Sequence, residues 1–227
     1  MSVDNPATHS RRHLFLALGL SFFLAFLFVV SIIIYTKLAK IEDPFSQLDF
    51  SFVIFIFLYT IIESVLILRI GIMKFGGLSL RSIGWRIDNV WHDMSYCLLS
   101  GSVAVCAVYL LGLLIGNWDW TQFVTAQNQF TFANRILFLL IGLNAGFVEE
   151  SLFRGFLQPT AIQSFGFAFG LIFIDFIFAA YYLNFHPQAF LGKFILGLIF
   201  GSLRSRDQSL PRPDVAHAFF WTVTGSF

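Results

Sequence analysis

Long apolar runs constrain the fold of this chain more than any other feature. A helix needs about 20 apolar residues to cross the hydrocarbon core of a bilayer, which is about 30 Å thick. Runs near that length predict spans close to residues 13–36, 50–70, 94–116, 134–157 and 165–185. A shorter run covers 189–203 and a last one covers 214–227. The sequence therefore predicts an all-α, polytopic transmembrane bundle of about six to seven helices.

The composition favours a membrane protein and argues against a nucleic-acid partner. Hydrophobic residues make up 57% of the chain and charged residues 12%, whereas soluble domains carry roughly 25% charged residues. The formal net charge is only +1, and the basic residues form no long block. Cys97 and Cys106 lie in one apolar run, and their spacing favours two packing thiols over a disulfide or a metal site.

Basic residues at the ends of the runs predict the orientation of the chain. Arg11 and Arg12 precede the first run, and no small-residue cleavage site follows it. This pattern favours an uncleaved signal anchor with a cytoplasmic N-terminus. The expected location is a prokaryotic plasma membrane or an equivalent internal membrane.

Two glutamates and an arginine interrupt the fourth apolar run. Charges near a bilayer centre cost at least about 2.5–3.5 kcal/mol on insertion scales, so Glu149, Glu150 and Arg154 indicate a functional site. On a helix, Glu150 and Arg154 are four residues apart and can pair. Glu149 points about 100° away from that pair and can remain free to accept a proton.

Two histidines fall at the ends of later apolar runs, His186 before Pro187 and His217 near the start of the last run. Each alone is more typical of an interfacial or packing histidine. Together with Glu149 they could hold and activate water, either directly or through a divalent metal. The sequence leaves both alternatives open: zinc or a similar ion on Glu149, His186 and His217, or no cofactor.

Other polar and small residues within the runs are interpreted as structural. Glu63 and Asp175 suit polar contacts between helices, and Asp175 could compete with Glu150 for Arg154. Four glycines have the small-x-x-x-small spacing of closely packed helices: Gly166, Gly170, Gly197 and Gly201.

The order and spacing of these residues resemble the CPBP family of intramembrane proteases, also called the Abi or CAAX-protease family. Its Glu-Glu-x-x-x-Arg motif is matched by Glu149, Glu150 and Arg154. Its Phe-x-x-x-His motif is similar to residues 182–186, with tyrosine for phenylalanine. Its His-x-x-x-Asn motif is similar to residues 217–221, with tryptophan for asparagine.

The resemblance covers about residues 130–221 and implies an all-helical endopeptidase with its site in the membrane. Glu149 would activate the hydrolytic water, and Glu150 and Arg154 would support it. The two histidines would position the water or bind a metal. The implied catalytic set is Glu149, Glu150, Arg154, His186, His217 and Trp221, with Trp221 at the place of an oxyanion-stabilising asparagine.

The resemblance also implies the organisation and the partners of the chain. A cytoplasmic tail over 1–12 would precede transmembrane helices and an interfacial connector over 13–128, and a CPBP/Abi-like catalytic-type core would cover 129–227. The substrate would be a membrane protein or a lipidated peptide, and other membrane proteins could be partners. The alternatives are a catalytically weak member acting as a scaffold, immunity or assembly factor, and a proton-handling transporter component.

Overall fold

The computed structural model describes residues 11–40, 50–75, 77–86, 90–115 and 132–224. Helices joined by turns and short connections make up these ranges, which contain no strand. The predicted boundary between 128 and 129 lies outside the described residues, as does nearly all of the predicted tail over 1–12.

Eight helices occur within the described ranges. The first four are α1 (Arg11–Ala39), α2 (Phe50–Leu66, continued by π-helical Ile67–Phe75), α3 (Leu80–Ile83) and α4 (Val90–Ile115). The others are α5 (Phe132–Glu149, then π-helical Glu150–Leu157, then Gln158–Phe165), α6 (Phe167–Tyr181), α7 (Pro187–Asp207) and α8 (Pro211–Thr224). The predicted all-α polytopic bundle is confirmed, with the one-turn α3 as an addition to the predicted helices.

Within the described residues, four helical stretches are long and apolar enough to cross a membrane. They are Phe15–Ala39, Phe50–Lys74, Asp93–Ile115 and Arg135–Phe165, and α6 is a shorter apolar helix. Large apolar side chains on these helices are exposed, among them Phe15, Phe26 and Leu114. Surfaces of this kind suit lipid tails and not water. The chain is an integral membrane protein.

The short helix α8 lies in the bundle against α4 and α5. Its 14 residues span about 21 Å, less than the hydrocarbon core of a bilayer. Glycines on the two neighbours permit its close approach. A Cβ on Gly101 would lie 2.7 Å from Phe219, and a Cβ on Gly146 would lie 2.5 Å from Asp214. The packing buries the face of α8 that carries His217.

Helices α6 and α7 pack through two glycines of α7. A Cβ on Gly197 would lie 2.9 Å from the Asp175 side chain, and one on Gly201 would lie 2.7 Å from Leu171. The close packing predicted from the glycine spacing is therefore confirmed at this pair of helices. It holds the polar Asp175 side chain fully buried between them.

The connector between α2 and α4 folds back onto α5. Gly84 adopts a left-handed conformation (φ 114°) after α3, and a Cβ there would lie 2.8 Å from the carbonyl oxygen of Gln208. The Trp85 indole N–H donates a hydrogen bond of 2.7 Å to the Ser151 hydroxyl. Trp91, at the start of α4, is 82% exposed. The connector thus covers the helix that carries the acidic motif.

Candidate active site

The central part of α5 brings the acidic motif into the interior. The segment Glu150–Leu157 is π-helical, and all eight of its residues are buried. π-Helical segments within α-helices are frequent at functional sites. Glu150 and Arg154 are inaccessible to solvent, and Glu149 just before them is 8% exposed.

The imidazole of His217 lies between the two glutamates. Its Nδ1 is 3.2 Å from Oε1 of Glu150, and its Nε2 is 3.7 Å from Oε2 of Glu149. The tautomer that donates from Nδ1 to Glu150 leaves Nε2 as an acceptor facing Glu149. A water molecule placed there could donate to both groups, as a general-base site requires.

Glu150 belongs to a closed ionic cluster around Arg154. The Nε atom of Arg154 is 3.5 Å from Oε2 of Glu150, and Nη2 is 3.6 Å from Oδ1 of Asp175. Nη2 also donates to the carbonyl oxygen of Gly197, and the guanidinium lies 4.2 Å from the ring centre of Phe178. The predicted pairing of Glu150 with Arg154 is therefore present, and Asp175 shares the same arginine instead of replacing Glu150.

Tyr182 is a member of the site, although the sequence pattern placed it only at the phenylalanine position of the second motif. Its hydroxyl donates a hydrogen bond of 2.5 Å to Oε2 of Glu149. Residues 178–182 have the spacing of the Phe-x-x-x-His motif, with tyrosine at the histidine position. The Phe178 ring also packs on His217, with 6.2 Å between ring centres. Applying the motif four residues earlier in the sequence would have identified Tyr182.

The structure does not group His186 with the other predicted residues. Helix α6 ends at Tyr181, Leu183 adopts a positive φ of 53°, and His186 precedes the first residue of α7. The His186 side chain is exposed, and its imidazole makes no hydrogen bond or ion pair with a described residue. Its backbone N–H donates to Asn184. The structure leaves only His186 outside and brings the other five of the six predicted residues together around the His217 imidazole: Glu149, Glu150, Arg154, His217 and Trp221.

The donor set does not fit a metal ion. The part of the chain that the structure describes contains no group of three or more His, Cys, Asp or Glu side chains able to hold one. His186 is exposed, and Glu150 already faces Arg154. A tetrahedral zinc site usually needs at least three protein ligands.

A cavity of about 480 Å³ opens beside Glu149, within the usual size range of small-molecule sites. Most of its wall is apolar and comes from α1, α2 and α5. Its charged residues are Glu63, Glu149 and Lys193. Glu63 accepts a hydrogen bond from the Tyr181 hydroxyl, which is the polar contact expected for it. The cavity can hold an apolar chain segment with a polar group directed at Glu149.

Trp221 forms part of the cavity wall one turn after His217. The two rings are nearly parallel, at 16°, with centres 6.3 Å apart. The ammonium of Lys193 lies 4.2 Å from the Trp221 ring centre and 3.9 Å from that of Tyr182. Trp221 therefore supplies an aromatic face at the position where the resembled motif has asparagine.

The C-terminal part of the chain matches a known family model. Residues 131–223 match the model described as type II CAAX prenyl endopeptidase Rce1-like. The match covers α5 to α8. It does not extend to α2, which contributes Glu63 to the cavity. No curated protein and no solved structure matches the chain.

Proposed function

We propose that the chain is an intramembrane endopeptidase of the CPBP (CAAX-protease) family, whose Rce1-like model matches residues 131–223. The observation that carries this proposal is the pairing of Glu149 with His217 at the wall of a large apolar cavity. A carboxylate and an imidazole acceptor together can activate water. The apolar wall suits a peptide segment that is itself within or near the bilayer.

In the proposed reaction Glu149 is the general base. Its carboxylate takes a proton from water held near His217 Nε2, and the water oxygen adds to the scissile carbonyl carbon. The π electrons of the carbonyl move to its oxygen and form a tetrahedral intermediate. When the intermediate collapses, the carbon–nitrogen bond breaks, and the leaving amine takes the proton held by Glu149.

Tyr182 and Glu150 act by positioning the reacting groups. The Tyr182 hydroxyl donates to Oε2 of Glu149, the oxygen that lies 3.7 Å from His217 Nε2, and so orients the carboxylate toward the imidazole. Glu150 accepts from Nδ1 of His217 and so fixes the tautomer with a free Nε2. Arg154 compensates the charge of Glu150 and holds it in place.

The family and the cavity support a membrane protein or a lipidated peptide as the substrate. Such substrates carry the apolar groups that the cavity wall would contact. We place the protein in a prokaryotic plasma membrane or an equivalent internal membrane, with its N-terminus in the cytoplasm. Other membrane proteins could bind it there as partners.

A second candidate function is that of a membrane scaffold, immunity or assembly factor with little or no catalysis. Two positions favour it: with the second motif aligned on residues 178–182, Tyr182 takes the place of its histidine, and Trp221 takes the place of the asparagine of the third motif. Loss of one oxyanion donor reduces rates by about 10²–10³-fold in other hydrolases. Such a protein would use the cavity to bind a membrane segment without cleaving it.

The experiment that separates the two functions compares membranes that contain the parent protein with membranes that contain Glu149→Gln. Quantitative proteomics of both should reveal peptides that are cleaved only with the parent, because glutamine cannot act as the base. Thermal unfolding of both purified proteins provides the control for folding. Identical cleavage patterns with two folded proteins would refute the peptidase and favour the scaffold.

A further inference from the structure

Lys193 of α7 is a cation without an acceptor at the wall of the cavity. Its ammonium nitrogen is buried, and no described residue accepts a hydrogen bond from it. It also forms no ion pair with a described carboxylate, although Glu149 lines the same cavity. A buried ammonium with no acceptor is costly unless a ligand or water completes its surroundings.

Aromatic faces hold the ammonium in place. Its nitrogen lies 3.9 Å from the ring centre of Tyr182 and 4.2 Å from that of Trp221. Cation–π contacts of this kind are stronger when they are desolvated than at an exposed site. They stabilise the charge without using its N–H donors, so those donors remain available to a molecule in the cavity.

Lys193 and Glu149 contact different parts of Tyr182. The Tyr182 hydroxyl binds the Glu149 carboxylate, whereas its ring face contacts the Lys193 ammonium. The base thus contacts the hydroxyl and the cation the ring of one tyrosine, and the two do not form an ion pair. A group that accepts hydrogen bonds can enter the cavity between them and remain close to both.

We propose that Lys193 is the anion-binding residue of this cavity and that it receives the oxyanion of the tetrahedral intermediate. The proposal rests on the endopeptidase function proposed above. When water adds to the carbonyl carbon, the negative charge appears on the former carbonyl oxygen, and the ammonium donates hydrogen bonds to it. On collapse the charge returns to the carbonyl bond as the amine leaves. Lys193 keeps its own protons throughout and acts by electrostatic stabilisation.

The test measures binding of a peptidyl phosphinate, an anionic mimic of the intermediate, and of the matching uncharged peptide amide. Both are titrated into the full-length protein in lipid nanodiscs. The parent should bind the phosphinate more tightly than the amide, and Lys193→Met should weaken phosphinate binding by about 10²-fold, on the scale of one lost oxyanion contact. Amide binding should stay unchanged, because methionine keeps the length of the side chain.

Two further variants serve as controls. Lys193→Arg keeps the charge and should retain phosphinate binding, which guards against a folding defect in Lys193→Met. Lys37→Met changes an exposed lysine of α1 and should bind both ligands like the parent. Equal phosphinate affinity for Lys193→Met and the parent, or no preference of the parent for the phosphinate, would overturn the assignment.

Cleavage measured on the same samples keeps the two proposals distinguishable. Glu149-dependent cleavage together with Lys193-independent phosphinate binding would retain the peptidase and reject Lys193 as its anion site. Lys193-dependent phosphinate binding without any cleavage would retain the anion site and reject the peptidase. Glu149-dependent cleavage together with Lys193-dependent phosphinate binding would support both proposals.

Discussion

The adjacent carboxylates Glu149 and Glu150 occupy different environments. Glu150 is fully buried, with Arg154 near one oxygen and His217 at the other. Glu149 lies at the wall of the cavity, where its described hydrogen-bonding partner is the Tyr182 hydroxyl. One carboxylate is part of a closed ionic cluster, and the other faces a space that a substrate could enter.

The difference arises because neighbouring residues of a helix point in different directions. A single turn of α5 therefore presents one glutamate to the protein interior and the other to the cavity. His217 connects them, with one ring nitrogen toward each. Substitutions on the Glu150 side of this imidazole can thus test the stability of the fold, and substitutions on the Glu149 side can test cleavage.

The largest effect on stability is expected from Arg154→Met. The substitution leaves Glu150 and Asp175 buried without their cation, and removing one partner of a buried ion pair costs about 3–5 kcal/mol. Thermal unfolding in detergent should show a clearly lowered midpoint. Arg206→Met changes an exposed arginine of α7 and is the control. An unchanged midpoint for Arg154→Met would mean that the ionic cluster does not support the fold.

A smaller effect is expected from Tyr182→Phe on the cavity side. The variant removes the hydroxyl that donates to Glu149, and hydrogen bonds to charged groups contribute about 1.5–3 kcal/mol. Cleavage should fall by roughly 10- to 100-fold, and the thermal midpoint should fall less than in Arg154→Met. Tyr181→Phe is the matched control because the Tyr181 hydroxyl binds Glu63 instead. Equal losses in the two variants would contradict a specific role for Tyr182.

A still smaller effect is expected from Trp221→Phe. Phenylalanine keeps an aromatic face next to the Lys193 ammonium and removes the indole N–H together with part of the ring system. Cleavage should stay within about tenfold of the parent, since a lost oxyanion donor would reduce it by about 10²–10³-fold. A reduction of that larger size would identify the indole as the oxyanion donor. Trp221→Asn, which restores the residue of the resembled motif, should preserve or raise cleavage.

The smallest effect is expected from His186→Ala. The imidazole is exposed and has no contact with Glu149 or His217 that would position it for chemistry. Cleavage and the thermal midpoint should both match the parent, whereas His217→Ala should abolish cleavage. A loss as large as that of His217→Ala would return His186 to the site and require a different arrangement of the loop before α7.

The fold was predictable where the hydrophobic pattern alone determines it. The apolar runs predicted the main helices, and the glycines of α7 predicted close packing. The end of α6 was less predictable, because the apolar run continues past Tyr181 while the helix stops there. Pro187 disfavours helical geometry at the residue before it, so the sequence did contain a signal for a break near His186.

The candidate site was predictable where its contacts are local. Glu150 and Arg154 are one helical turn apart, so their pairing follows from the spacing. The partners of Glu149 come from other elements: Tyr182 follows α6, and His217 belongs to α8. Lys193 of α7 reaches the same cavity through tertiary packing. The periodicity within one helix predicts which of its own residues share a face, and it does not predict contacts between different helices.

The most direct test of the difference between the two carboxylates measures cleavage and the thermal midpoint together for Glu149→Gln and Glu150→Gln in the same lipid. A positioned general base contributes about 10²–10⁴-fold in rate. Glu149→Gln should therefore lose cleavage by that factor and keep the parent midpoint. Glu150→Gln should lower the midpoint, because Arg154 loses part of its charge compensation. Full cleavage by Glu149→Gln, or loss of cleavage by Glu150→Gln alone with an unchanged midpoint, would contradict the assignment of the two roles.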